Sequence, residues 1–158
     1  MEDSFYEKLD DKQRELVDAA EKVMGTAYNP YSNFFVGAAL RASRDGAIIV
    51  GSNVENAAYG STICAERAAI LAANAQGYRA FDSLAIIARG ADFDTTLPTA
   101  PCGSCRQNLY ETSQIANKEL EIILSNTNKD RITITSIREL LPLAFGPLDL
   151  GMDVSRFR

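Results

Sequence analysis

The sequence predicts an α/β fold, a three-layer α/β/α sandwich around a mixed five-stranded sheet. One domain spans 1–158, with 151–158 as a flexible tail. Three observations predict it. Apolar runs of strand length are interspersed with stretches of helical period, the pattern of a sheet covered by helices. The first two runs are joined by Ser43-Arg44-Asp45-Gly46, whose Asp-Gly pair marks an antiparallel hairpin and makes the sheet mixed. A chain of 158 residues also removes roughly 68 to 70% of its unfolded surface from water, so its core needs no disulfide or metal to hold it.

In chain order, Leu16, Ala20, Val23 and Met24 recur at helical spacing from Asp10 onward. Asp10 and Gln13 form a capping box, and Gly25 ends the run. Tyr28-Asn29-Pro30-Tyr31-Ser32-Asn33 is a turn-rich loop leading to Phe34. Strands are expected over Phe35–Ala42 and Ala47–Val54. The alternation puts Asn53 and Glu55 on one side at the end of the second. An alanine-rich helix follows Cys64 and ends near Gly77, with Thr62 or Ser61 as its cap. Phe81–Ala88 is the third strand, and a polar loop then leads to a helix opening at Pro101 and running to about Ser113. Leu120–Ser125 and Ile132–Ile134 are the last strands, and Ser136 with Glu139 caps a short helix that stops at Pro142.

The formal net charge of −5 argues against a general electrostatic grip on nucleic acid or an anionic membrane. Met1-Glu2-Asp3-Ser4 has neither the basic nor the apolar region of a secretory signal, and no apolar run approaches the ~18 residues of a membrane span. The expected location is cytoplasmic. Three cysteines, two of them in a C-x-x-C, are a poor disulfide framework and a better metal or redox set.

The chain has no histidine, so the nitrogen and sulfur ligands of any transition metal reduce to Cys64, Cys102 and Cys105. Three protein ligands are the count of a catalytic zinc, whose fourth position belongs to water, whereas a structural zinc takes four. Cys102 and Cys105, three positions apart at a helix start, project from one face. Cys64 comes from the start of a second helix, and helix N-termini stabilise thiolates. Glu66, two residues after Cys64, is the candidate proton carrier. A lone glutamate is otherwise a solvated helix residue, Phe34 and Phe145 otherwise core, and Asn53 otherwise a turn cap. Cys102-Gly103-Ser104-Cys105 also suits a thioredoxin-type dithiol, a reading that leaves Cys64-Ala65-Glu66 unexplained.

Cys64-Ala65-Glu66 with Pro101-Cys102-Gly103-Ser104-Cys105 resembles the small zinc-dependent cytidine deaminases, within a class whose signature includes P-C-x-x-C and a Cys₃ variant. Tyr31 to Ala39, Asn53 to Gly60 and Leu140 to Pro147 are similar to further segments of that family, so the resemblance runs roughly over 10–150. Phe35 departs from it, since proline is common there.

The resemblance implies hydrolytic deamination of cytidine and 2′-deoxycytidine to uridine and 2′-deoxyuridine plus ammonia, a pyrimidine-salvage reaction. One zinc per subunit would be held by the three cysteines, with hydroxide generated at the metal attacking C4 and Glu66 shuttling protons. It implies that Phe34 packs on the pyrimidine, that Asn53 and Glu55 bind the ribose 3′-hydroxyl, and that Ala65 also contacts substrate. It implies that Arg67 donates to thiolate sulfur, and that Phe145, with Ala57 and Tyr59, enters a neighbouring subunit's site in a homotetramer. Partners would be the nucleoside and further copies of the chain, with no nucleic acid polymer and no membrane. Blasticidin-type deaminases also use cysteine ligands, but Phe34, the Asn53/Glu55 pair and Ala144-Phe145-Gly146-Pro147 together look more like the cytidine branch.

Overall fold

The computed structural model describes residues 1–158. Its sheet has six strands in the order β1-β6-β5-β4-β2-β3, where β1 is Glu2–Ser4, β2 Phe34–Ala42, β3 Ile48–Ser52, β4 Phe81–Gly90, β5 Glu121–Ser125 and β6 Ile132–Ser136. Only β4 and β5 are parallel neighbours, and every other pair is antiparallel, so the sheet is mixed as the hairpin implies. The strand count is one more than predicted. The extra strand, β1, pairs Glu2 to Ile134 and Ser4 to Ile132 along the sheet edge. Three polar residues carry no alternation to betray a strand, and what recruits them is the unpaired backbone of β6.

Four helices complete the layers: α1 Asp11–Met24, α2 Ala65–Ala75, α3 Gly103–Ala116 and α4 Ile137–Leu140. Leu16, Val17, Ala20 and Met24 of α1 pack with Ala39, Ala85, Ile87 and Ile123 on one face of the sheet. Ala65, Ala69 and Ala73 of α2, Leu109 of α3 and Ile137 of α4 pack with Ala38, Leu40, Leu84 and Ile86 on the other. The alternation of strand side chains thus divides the core into two shells. No helix is long and apolar enough to cross a membrane.

The capping boxes read from Asp10 with Gln13 and from Ser136 with Glu139 are both formed. The predicted cap of α2 is not. Cys64 itself stands at the N-cap with no side-chain hydrogen bond to the helix, while the Thr62 hydroxyl accepts from the Asn56 amide instead. Small residues seat α2 against β3: a Cβ at Gly51 would lie 2.3 Å from the Ala69 nitrogen and 2.6 Å from the Ala65 carbonyl oxygen. At the far end of the chain, Ser155–Phe157 forms a 3₁₀ turn, and the Arg158 guanidinium donates to the Ile115 carbonyl.

Candidate active site

The chain crosses from β3 through α2 to β4, then through α3 to β5, and both helices lie on one face of the sheet. Their N-termini meet, bringing together the three cysteines that the sequence keeps far apart. Cys64 is the N-cap of α2 and Cys102 that of α3, with Cys105 in the first turn of α3. Cys64 Sγ lies 3.9 Å from Cys102 Sγ, which lies 3.5 Å from Cys105 Sγ, and all three sulfurs fall within 4.8 Å of one another. None is disulfide-bonded. The cluster sits at the N-termini of two helices, whose partial positive charge favours negative charge on sulfur.

Arg67 adds a full positive charge. Its Nη2 donates to the Thr62 carbonyl at 3.0 Å and approaches Cys64 Sγ at 3.7 Å. The Cys64 thiol is accordingly held below its ordinary range, first by the neighbouring Cys105 thiol and then, against burial, by Arg67 and Cys102. The Cys105 thiol is pushed up by the same closeness to Cys64, with burial and the Glu66 carboxylate adding to the rise. Glu66 is only 4% exposed, which a solvated helix residue would not be. Burial raises its pKa, its own backbone N–H opposes the rise, and the charge at Cys64 reinforces it. A carboxyl group whose pKa is raised in this way is suited to taking up a proton and giving it back.

On the face of the sheet that carries α2 and α3, at the start of β2, a second cluster organises Phe34. Asn53 is buried, accepting from the Val36 amide and donating to the Phe34 carbonyl, both at 2.9 Å. Glu55 Oε2 accepts from the Tyr31 and Ser32 amides at 2.9 and 3.2 Å. Its pKa is lowered, chiefly by the Ser32 hydroxyl. That hydroxyl in turn accepts from the Phe34 amide. Asn53 and Glu55 therefore converge on the loop that presents Phe34, a long-range tie that the strand pattern alone does not show. Ala57 and Tyr59 are exposed, the Tyr59 ring edge-on to Tyr31 at 5.9 Å. Phe145 is 61% exposed, and its carbonyl accepts from Gln107 of α3.

Arg106 makes no ion pair. It donates to the Pro101 and Leu140 carbonyls, fastening the approach to α3 onto α4. Phe35 lies on the opposite face from Phe34, under the Arg89 guanidinium at 4.3 Å. Sequence reasoning missed Phe93, whose ring stacks on that of Phe34 with centroids 6.2 Å apart. β4 runs two residues past the predicted end at Ala88, so Gly90, expected in the loop, lies in the strand, where a glycine marks close approach by something else.

Residues 10–118 match the family model described as the cytidine and deoxycytidylate deaminase zinc-binding region. The chain belongs to this deaminase family. It is similar to a cytidine deaminase of Sporosarcina psychrophila, 43% identical over 136 residues, or 86% of this chain and 93% of the relative. It is also 41% identical over 141 residues to one from Halalkalibacterium halodurans, covering 89% of this chain and 98% of the relative. Among solved structures it is similar to the cytidine deaminase of Burkholderia pseudomallei, with a TM-score of 0.74 and 44% identity, covering 83% of this chain and 97% of the other.

The donor set suits the deaminase family's zinc. A tetrahedral ion with Zn–S bonds of about 2.3 Å separates its sulfurs by about 3.8 Å, and the observed 3.9 and 3.5 Å bracket that spacing. A thioredoxin-type dithiol would leave the third sulfur and the buried Glu66 without a role, and the deaminase match sets that reading aside.

Proposed function

We propose that the chain catalyses the zinc-dependent hydrolytic deamination of cytidine and 2′-deoxycytidine, releasing ammonia and the corresponding uridine. The observation that carries this is the meeting of three sulfurs at two helix N-termini with a buried carboxyl group two residues beyond the first. When bound, zinc supplies an acidified water, its pKa lowered from 15.7 towards about 7.

The protein's own residues do the rest. Cys64, Cys102 and Cys105 would hold the ion, and Arg67 with the two helix N-termini would offset the formal charge of about −1 that three thiolates leave on it. Glu66 would take one proton from the attacking water and pass it to N3 of the pyrimidine, then take the remaining proton from the new C4 hydroxyl and deliver it to the amino group, so that ammonia leaves as C4 becomes a carbonyl. The Ala65 amide, first in α2 and without an intrahelical acceptor, suits the base carbonyl. Phe34 packs on the pyrimidine. Glu55 keeps a carboxylate oxygen beyond its two loop contacts, and Asn53 an N–H, for the ribose 3′-hydroxyl, where negative charge disfavours a phosphate.

The site is completed by other copies of the chain in a homotetramer. One observation supports this. Tyr59, Leu143, Phe145, Leu148 and Leu150 are exposed apolar side chains of the kind a second copy covers. Three unpaired thiols acting as ligands suit a reducing cytoplasm.

The test is the fall in cytidine absorbance on conversion to uridine, with and without a strong chelator and with zinc added back. Turnover that the chelator abolishes and zinc restores is expected. A chain that carries zinc yet leaves cytidine unchanged would overturn the assignment.

A further inference from the structure

Phe93 is a large ring, 61% exposed, yet it is not loosely held. The turn carrying it closes on β4, with the Gly90 amide donating to the Phe93 carbonyl at 2.9 Å and a bridge between Arg89 and Asp94. One residue later, Thr95 is clasped to Thr127. The Thr95 amide donates to the Thr127 hydroxyl at 2.8 Å, the Thr127 amide donates to the Thr95 hydroxyl at 3.0 Å, and both hydroxyls donate to the Ala88 carbonyl. A turn pinned so thoroughly presents its side chain in one place.

That place is beside the site. In β2 and β4 the even-numbered residues Ala38, Leu40, Leu84 and Ile86 pack with α2, while Ala39, Ala85 and Ile87 pack with α1. Alternation therefore puts Phe34 and position 90 on the face that carries the sulfurs. They are also directly opposite each other in register. Gly90 leaves that slot open and the Phe93 ring fills it: a Cβ at Gly90 would lie 2.2 Å from Cε1 and 2.3 Å from Cδ1 of the ring. Held there, Phe93 stacks on Phe34 with an interplanar angle of 28°.

We propose that Phe93 is a positioning residue for the nucleoside base, fixing the Phe34 ring in the plane on which the pyrimidine packs. The inference rests on the role given to Phe34 above. Stacking is sensitive to ring offset and tilt, so a Phe34 ring free to rotate binds the base less well while the metal and the proton carrier stay in place.

Steady-state kinetics with cytidine, alongside zinc content, test this on the wild type, Phe93→Ala, Phe93→Tyr, Gly90→Ala and the Gly90→Ala/Phe93→Ala double variant. Phe93→Ala should raise KM about 2- to 12-fold, the range set by the geometric preference of an aromatic pair. Its kcat and zinc content should stay within about twofold of wild type, and Phe93→Tyr should restore KM. Gly90→Ala, which displaces the ring without removing it, should also raise KM. The double variant should be no worse than Phe93→Ala alone, because both changes act through one contact. An unchanged KM in Phe93→Ala, a failure of Phe93→Tyr to restore it, or effects of the two single changes that multiply would overturn the inference while leaving the deaminase assignment intact. A wild-type chain inactive on cytidine would overturn the assignment itself, and the role of Phe93 with it.

Discussion

Gly51→Ala isolates the seating of α2 on the sheet. The added Cβ would meet the Ala69 nitrogen at 2.3 Å, the Ala65 carbonyl oxygen at 2.6 Å and the Ala68 carbonyl carbon at 2.9 Å, all of them helix backbone that no rotamer change can move aside. Restoring a contact of about 3.5 Å requires the first two turns of α2 to lift by about 1.2 Å. Overpacking of this kind costs about 1 to 3 kcal/mol. For a chain of this size that lowers Tm by roughly 2 to 12 °C. The functional loss should be larger. Cys64 and Glu66 move with α2 while Cys102 and Cys105 stay on α3, so the 3.9 Å edge of the sulfur triangle opens. A misplacement near 1 Å costs on the order of 10² in rate.

The assays are thermal melting of the metal-free chain, zinc retained after dialysis, and cytidine turnover. Melting without metal keeps zinc binding from adding to the apparent stability. Gly25→Ala is the control, because its added Cβ would meet only the Lys22 carbonyl oxygen at 3.9 Å, an ordinary contact, and its φ is −65°. If Gly51→Ala matches wild type in Tm, zinc retention and turnover, α2 does not sit on β3 as described and the argument for how the sulfurs are brought together fails.

Glu66→Gln should lower kcat by about 10² to 10⁴ with zinc content unchanged and stability no lower, since an amide avoids the cost of burying a charge. A variant that kept turnover but lost stability would make Glu66 structural. Arg67→Met should retain zinc about 10- to 100-fold less well in competition with a chelator, through loss of its contacts to Cys64 and the Thr62 carbonyl. Equal retention would show that the helix N-termini suffice. Asp82 has a lowered pKa: burial opposes the shift, and the Ser43 hydroxyl with the Lys118 ammonium outweighs it. Its stabilisation is therefore present above its ordinary value of 3.8 and is lost as pH falls through the lower folded value. Asp82→Asn should be less stable than wild type at pH 7 by under about 1 kcal/mol. In urea titrations that gap should narrow and close as pH falls from 3.8 through the lower folded value, and a gap that persisted in acid would assign the effect to something other than charge.

The metal ligands were legible because their chemistry allows few residue types and the chain offers only three cysteines and no histidine. Glu66 was legible because its distance from Cys64 is local. What the sequence hid depends on contacts between distant segments. The Asn53 clamp on Phe34 spans 19 residues and the Thr95–Thr127 clasp spans 32. No periodicity encodes either. The β1 edge strand was invisible for a related reason, since it is held by the backbone of β6 and its side chains carry no pattern. Arg106 could be read as a charge seeking a partner, whereas carbonyl oxygens across the α3–α4 junction take its donors.

The cap rule failed at α2, and the Pro101 start of α3 moved to Gly103 behind a Cys102 N-cap, both where chemistry displaces stability. The helices outside the site, α1 and α4, begin with complete capping boxes. The two that build it, α2 and α3, begin with cysteine at the N-cap and no side-chain hydrogen bond to the first turn. Serine, threonine, aspartate or asparagine there is commonly worth about 1 kcal/mol, so the chain forgoes that stabilisation twice. What it retains is a pair of N-termini without side-chain caps at which the three sulfurs sit, so that the partial positive charge of each helix end lies where a ligand set of net negative charge most needs it. A sequence rule that assumes helices are capped for stability misplaces the cap at such a position, and the misplacement marks the site.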